Sequence, residues 1–401
     1  MEHPAPINEK FHPKTNGLYL LYKGQLTMKG SKRAMIITQK DRITTPQAAV
    51  ILINHILAAG VLTLPRTSVE KVKTPDVWIS VLLGGVIAMA AGVIIVKLSQ
   101  QFPGRTIYQY SQEIVGKWTG RLLSLFIVGY FFTISAFEIR NLAEVTSFFL
   151  LEGTPTWAII MPFMWIGLYL IMGGIDPIAR LFEIIFPITI FLFLLVALLS
   201  IGIFEIDHLR PVLGLGIIPV LKGIKTTALA FTGPEIMLFL LVFMQQPNKA
   251  VKAVLVGFSI PLIFYMITVV MVIGVLSIDG VVTRTWPTID LIRSFEVPGL
   301  IFERFESLLL VIWIMQIFST FTITYYAAAL GLAQLFKKSI HSCMYVLLPI
   351  IYIIAMTPKN TNGLFKLGDI ISNVALYLFG VMPLLLLIVT RWRGRKHETK
   401  S

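Results

Sequence analysis

The chain has 401 residues, of which 56% are hydrophobic and only 14% charged, with a mean hydropathy of +0.80. A soluble domain carries about 25% charged residues, too many to match this chain, whose apolar surface has no watery shell to hide behind. Ten spans of about 20 residues fill about half of a chain this long, so the composition reads as a polytopic, all-α integral membrane protein. The net charge of +13 would fit nucleic acid only if it were spread over a folded basic surface. It is not. Residues 1–45 hold eight Lys/Arg against three acids, and residues 391–401 hold five against one, so nine of the thirteen charges flank the apolar body. Basic ends beside apolar spans read as cytoplasmic anchors on an anionic lipid surface; no nucleic-acid partner is expected.

In chain order, residues 1–42 form a polar cytoplasmic leader that reads as disordered. Its one apolar run, Leu18–Tyr22, is too short for a signal peptide. Apolar runs then predict helices over 46–72, 76–100, 118–150, 156–174, 178–203, 215–245, 249–276, 300–336, 341–357 and 370–391. This predicts one transmembrane domain over residues 43–392, with a first set of five helices at 46–203, a second at 215–391, and a basic cytoplasmic tail at 393–401. An even number of spans puts both termini on one side. The short loops carry nearly equal numbers of Lys/Arg on the two sides, so the cytoplasmic assignment rests on the tails. The single cysteine, Cys343, excludes an internal disulfide and any CxxC metal site.

Two spans are interrupted at mid-depth. The first reads Asn54-His55-Ile56-Leu57-Ala58-Ala59-Gly60-Val61-Leu62-Thr63-Leu64-Pro65, and the sixth reads Ala230-Phe231-Thr232-Gly233-Pro234-Glu235. Glycine loosens the backbone and proline removes a donor, so helices break at such places. In lipid the freed backbone groups must line protein or water. Gly60 and Gly233 stand 173 residues apart, each in the first helix of its set of five. Matched breaks in two halves are the sequence pointer to an inverted-repeat fold with a binding site at the midplane. Pro162, Pro187, Pro261, Pro349 and Pro383, by contrast, read as simple kinks.

Phe231-Thr232-Gly233-Pro234-Glu235 resembles the sixth-helix F-x-G-x-E signature of the amino acid–polyamine–organocation (APC) transporter superfamily. Gly60-Val61-Leu62-Thr63-Leu64-Pro65, the preceding Thr45-Pro46-Gln47, and Glu138-Ile139-Arg140-Asn141-Leu142-Ala143-Glu144 resemble spore germinant receptor B subunits, also called spore germination permeases. The likeness runs over residues 43–392, and the leader is longer than that family's usual short tail. The resemblance implies a LeuT-like inverted 5+5 repeat of ten helices with broken first and sixth members. It also implies a nutrient sensor in the inner membrane of a bacterial spore. Its partners would be a larger membrane A-type subunit and a lipoprotein C-type subunit.

At the breaks, Ala59, Gly60, Val61, Leu62, Phe231, Thr232 and Gly233 would present amide donors and carbonyl acceptors to one cavity. Amides at a half-helix start hold a carboxylate, and carbonyls at the opposed ends receive an ammonium group. That pairing suits a small zwitterion such as an amino acid. Glu235 reads either as a gate or proton-sensitive latch, or as a carboxyl capping the second half-helix. His55 reads either as a proton sensor or as a packing histidine. Tyr130 and Thr133 on the third span form a pocket wall or pack. Ser319, Thr320, Thr322 and Thr324 on the eighth occupy the region where sodium-coupled relatives place hydroxyl ligands, or bond their own helix. The fifth span lacks the lysine of some proton-coupled relatives. Glu138, Arg140 and Glu144 read as a helical charge cluster. No HExxH, GxSxG or Walker-type motif is present, and no two of the six histidines are four apart, so no catalytic residue, metal or cofactor is expected. Two functions remain from this stage: a receptor subunit that binds a nutrient and signals to its partners, or a proton- or sodium-coupled amino-acid transporter.

Overall fold

The computed structural model describes residues 19–22, 25–28, 41–58, 60–294 and 306–398. Within the first 42 residues, Tyr19–Tyr22 and Gln25–Met28 pair as a short antiparallel hairpin. Residues from Ile43 onward form a separate, nearly all-helical unit.

Its first span is two helices, α1 (Thr45–Ile56) and α2 (Gly60–Val72), bent by 53°. Thr44 starts α1 through a capping box, its side chain accepting from Gln47 N while the Gln47 side chain accepts from Thr44 N. The helices α3 (Val77–Ser99), α4 (Ile107–Ile114), α5 (Lys117–Phe149), α6 (Thr156–Met172) and α7 (Ile175–Ser200) follow. The sixth span is again broken, into α8 (Ile218–Ala230) and α9 (Pro234–Phe243), bent by 41°. The chain ends with α10 (Ala250–Thr283), α11 (Pro287–Arg293), α12 (Glu306–Phe336), α13 (Ile340–Met356), α14 (Thr361–Ala375) and α15 (Met382–Glu398), the last two joined by a π-helical turn.

Six of these helices are long and apolar enough to cross a membrane, and each bent pair adds one span. The 17-residue α6 and α13 are apolar but shorter. The predicted helices are therefore found near their expected bounds, with three differences. The last span begins at Thr361 rather than 370, because Asn360 caps it by accepting from Gly363 N at 2.9 Å. The seventh runs on to Thr283 across a kink at Ser277 (φ 58°). Two short helices between spans, α4 and α11, were not foreseen, being too brief for a periodicity of 3.6 to declare itself.

Burial arranges the helices around a centre. For α12, 83% of its most apolar stretch is buried, against 22–56% in the other five long spans. It packs along α5 and touches α1 and α7. This explains how four hydroxyl residues sit in one span without meeting lipid. The α3–α8 seam shows the other device, close approach over small residues. Ser80 donates to Val220 O at 2.8 Å and Thr227 donates to Ser80 O at 2.6 Å. A Cβ on Gly84 would stand 2.6 Å from the Ala228 backbone nitrogen, an overlap that backbone cannot relieve cheaply. Gly84→Leu should therefore lower the thermal midpoint of the purified protein sharply, overpacking costing about 1–3 kcal/mol or more. Gly129→Ala, whose Cβ would stand 3.9 Å from Phe132 Cζ, should leave it unchanged or higher. Equal effects of the two would contradict this packing.

Candidate functional site

The two breaks meet, Gly233 lying against Ile56, and what fills them is protein. At Gly60, the phenol of Tyr265 from α10 occupies the place where a Cβ would project. The Tyr265 hydroxyl donates to the Ile56 carbonyl, freed where α1 ends. One residue earlier, the Thr320 hydroxyl on α12 donates to the His55 carbonyl at 3.1 Å. On the far side of the break, Thr288 of α11 donates to Val61 O at 2.9 Å. Hydroxyls from three different helices thus take up three carbonyls around one interruption, as lipid depth requires.

The sixth-span break is organised by Glu235, which is 1% exposed. Gly233 has φ +153°, a conformation that favours glycine. A Cβ there would also stand 2.6 Å from Ile56 Cγ1. That backbone turns the Gly233 N–H toward the Glu235 carboxylate, where it donates to Oε2 at 2.7 Å. The Tyr130 hydroxyl on α5 donates to Oε1 at 3.0 Å. His55 Nε2 lies 4.0 Å from the same oxygen, and His55 Nδ1 is buried with no hydrogen-bond partner among the described residues. Glu235 thus takes the capping role at the start of α9 and also joins α5 through Tyr130, with His55 of α1 beside it. Phe231, fully buried, sets its ring edge-on to Tyr265 with centroids 5.0 Å apart.

The other candidates divide. Thr133 spends its hydroxyl on Gly129 O at 2.7 Å and Ser319 on Met315 O at 2.9 Å, each within its own helix. Thr324 bonds Thr320 O and meets Ser135 of α5 at 2.8 Å. Val61 and Leu62 are buried beside the break, while the Thr232 amide bonds back to Leu229 O at 3.2 Å. Ala59 lies outside the described residues. The charge cluster separates into two directions. Arg140 pairs with Glu144 at 3.3 Å, and Glu144 accepts from Thr361 at the start of α14 at 2.6 Å. Glu138 stays apart, 5% exposed, with Oε2 unpartnered. The sequence reading missed Tyr265 and Thr288, because nothing local marks either; they matter through contacts 209 and 227 residues away along the chain. Among the described residues no group of three His, Cys, Asp or Glu is placed to hold a metal ion.

A bent first span packed against a bent sixth span defines a class of fold. The structure superposes on Mhp1, a nucleobase-cation-symport-1 transporter solved closed with bromovinylhydantoin bound. The TM-score is 0.60 at 12% identity, covering 85% of this chain and 77% of that one. It also superposes on MhsT in complex with L-phenylalanine, with TM-score 0.64 at 11% identity, covering 86% and 97%. The fold is thus the LeuT-like inverted repeat with broken first and sixth spans. The sequence pattern of the family described as "Spore germination protein", the spore permeases, matches residues 42–364. The chain is 63% identical over 355 residues to spore germination protein YndE of Bacillus subtilis (strain 168), covering 88% of this chain and 98% of the relative. It is 37% identical to spore germination protein A2 and 34% to B2 of the same organism, covering 88% and 97%, and 85% and 94%. The chain belongs to the spore germination protein family.

The bridge at Glu235 is testable without knowing a ligand. A hydrogen bond to a charged group contributes about 1.5–3 kcal/mol, so Tyr130→Phe should lower the thermal midpoint clearly. Glu235→Gln should do the same, and the double variant should cost less than the sum, since both remove one interaction. Strict additivity would show that the two side chains do not act together.

Proposed function

We propose that this protein is the membrane subunit of a spore germinant receptor. It binds a small nutrient, an amino acid being the best fit, at the paired breaks, and passes the signal to an A-type membrane subunit and a C-type lipoprotein. The observation that carries the reading is the Glu235 bridge inside a chain of the spore germination family. One carboxylate joins the two breaks and α5 through Gly233 N, Tyr130 and the neighbouring His55.

A nutrient carboxylate is the same kind of acceptor as Glu235. It would compete for the Gly233 amide and the Tyr130 hydroxyl, while an ammonium group would take the break carbonyls now held by Tyr265, Thr320 and Thr288. Exchanging internal partners for ligand groups releases α5, α10, α11 and α12 from the breaks. A ligand shifts such an equilibrium only by its preference for one state. The site residues of this reading are Gly60, Val61, Leu62, Tyr130, Phe231, Gly233 and Thr320, with Glu235 and His55 as the proton-sensitive gate. Thr133 and Ser319 contribute wall rather than contacts. The basic tails support both termini being cytoplasmic, and membership in the spore germination family supports placement in the spore inner membrane.

A second reading, an ion-coupled amino-acid transporter, is favoured by the likeness to a cation symporter. Against it, α7 has no lysine in its body and the Thr320 hydroxyl is already committed to His55 O. In spores, Gly60→Leu should abolish the nutrient response, because the new side chain claims the space of the Tyr265 phenol. Thr320→Val should lower the half-maximal nutrient concentration about tenfold, the worth of one hydrogen bond, because it removes the internal partner that the ammonium group must displace from the His55 carbonyl. Glu235→Gln should alter the pH dependence of the response. Protein levels are followed by immunoblot. Normal response from both Gly60→Leu and Thr320→Val at normal levels would remove the site from the breaks.

A further inference from the structure

Away from the breaks, a cleft of about 390 Å³ opens where α1 and α10 begin and the segment after α9 crosses between them. Its chemistry is lopsided. Lys249 and Lys252 line it with the side chains of Gln245 and Gln246, and no acid does. Neither lysine takes part in an ion pair among the described residues. The apolar part of the lining comes from Pro46 and Ala49 on α1 and from Ala253 and Val256, beside the lysines, on α10. Val256 is 41% exposed, so the apolar wall continues onto the outward face of α10 rather than ending in a closed core.

The cleft also sits on a seam. Ile43, just before α1, pairs in parallel with Met244, just after α9. Ile43 N donates to Phe243 O at 2.9 Å and Gln245 N donates to Ile43 O at 2.9 Å. These bonds tie together the ends of the two broken spans, and Gln245 belongs to both seam and cleft. Whatever occupies the cleft touches both halves of that tie.

We infer that this cleft binds the phosphate headgroup of an anionic membrane phospholipid and thereby clamps the ends of the first and sixth spans together. Two uncompensated ammonium groups and two amides recognise a phosphate diester, and basic pockets between membrane helices hold such headgroups. The apolar wall running onto exposed α10 takes the first part of an acyl chain, which a free inorganic anion lacks. The inference needs no nutrient and stands apart from the reading of the breaks.

The test uses the full chain purified in neutral detergent, its thermal midpoint titrated with dioctanoyl phosphatidylglycerol. The wild type should gain stability saturably. Each lysine near an anionic lipid contributes about a fivefold gain in affinity. Lys249→Gln or Lys252→Gln should therefore weaken the apparent affinity about fivefold, and the double variant about 30-fold. Both side chains reach solvent, so the midpoint without lipid should hold. Lys337→Gln/Lys338→Gln, a basic pair elsewhere on the surface, should bind as the wild type does. Undiminished affinity in the Lys249/Lys252 double variant would overturn the site. So would an equal gain from dioctanoyl phosphatidylcholine, which carries no net charge. An equal gain from inorganic phosphate alone would overturn its assignment to lipid.

Discussion

Hydrocarbon offers no hydrogen bond, so every backbone group released at a helix break must find its partner inside the protein. In this chain the constraint falls on two interruptions, and the packing of the centre follows from how it is met. Tyr265, Thr320 and Thr288 reach the first break from three helices, and Glu235 turns back onto the Gly233 amide at the second. The breaks loosen two spans while drawing the surrounding helices onto them.

The arrangement explains why a carboxylate is tolerated at this depth. Insertion of a bare charge costs about 2.5–3.5 kcal/mol, and Glu235 offsets it with a backbone donor, a phenol and a nearby imidazole. On the proposed reading the same partners make the site responsive. Carboxylate against carboxylate is an even contest, so a zwitterionic ligand would exchange bonds rather than create them. Reversing a 1:99 equilibrium asks for about 5.5 kcal/mol of preference, much for one small molecule. A closed state already balanced by internal competition, or several receptors read together, lowers that demand.

Much of this was legible in sequence because membrane depth makes polar and helix-breaking residues conspicuous. Ala230–Glu235 announced a break with its own acid, Gly60 and Pro65 announced its counterpart, and the run lengths located the spans. Tyr130 was visible only as a wall candidate; that it meets Glu235 depends on the rotation of α5, which run length does not encode. Tyr265 left no signal, since a tyrosine in the seventh span looks like packing until Gly60 is found against it. Thr288 lies on a helix of seven residues begun by Pro287, too short for periodicity. The charge cluster looked like one unit by spacing, yet Arg140 and Glu144 turn toward α14 while Glu138 remains apart. Spacing places residues on a helix, and only packing says which neighbour they meet.

The central claim is that a transporter-like frame serves here to sense rather than to move its ligand. Its most direct test places the purified chain in sealed liposomes and records binding and uptake of labelled amino acids together, under an imposed proton or sodium gradient. The account predicts saturable binding with no accumulation in the lumen. Gradient-driven accumulation would contradict it and make the protein a transporter.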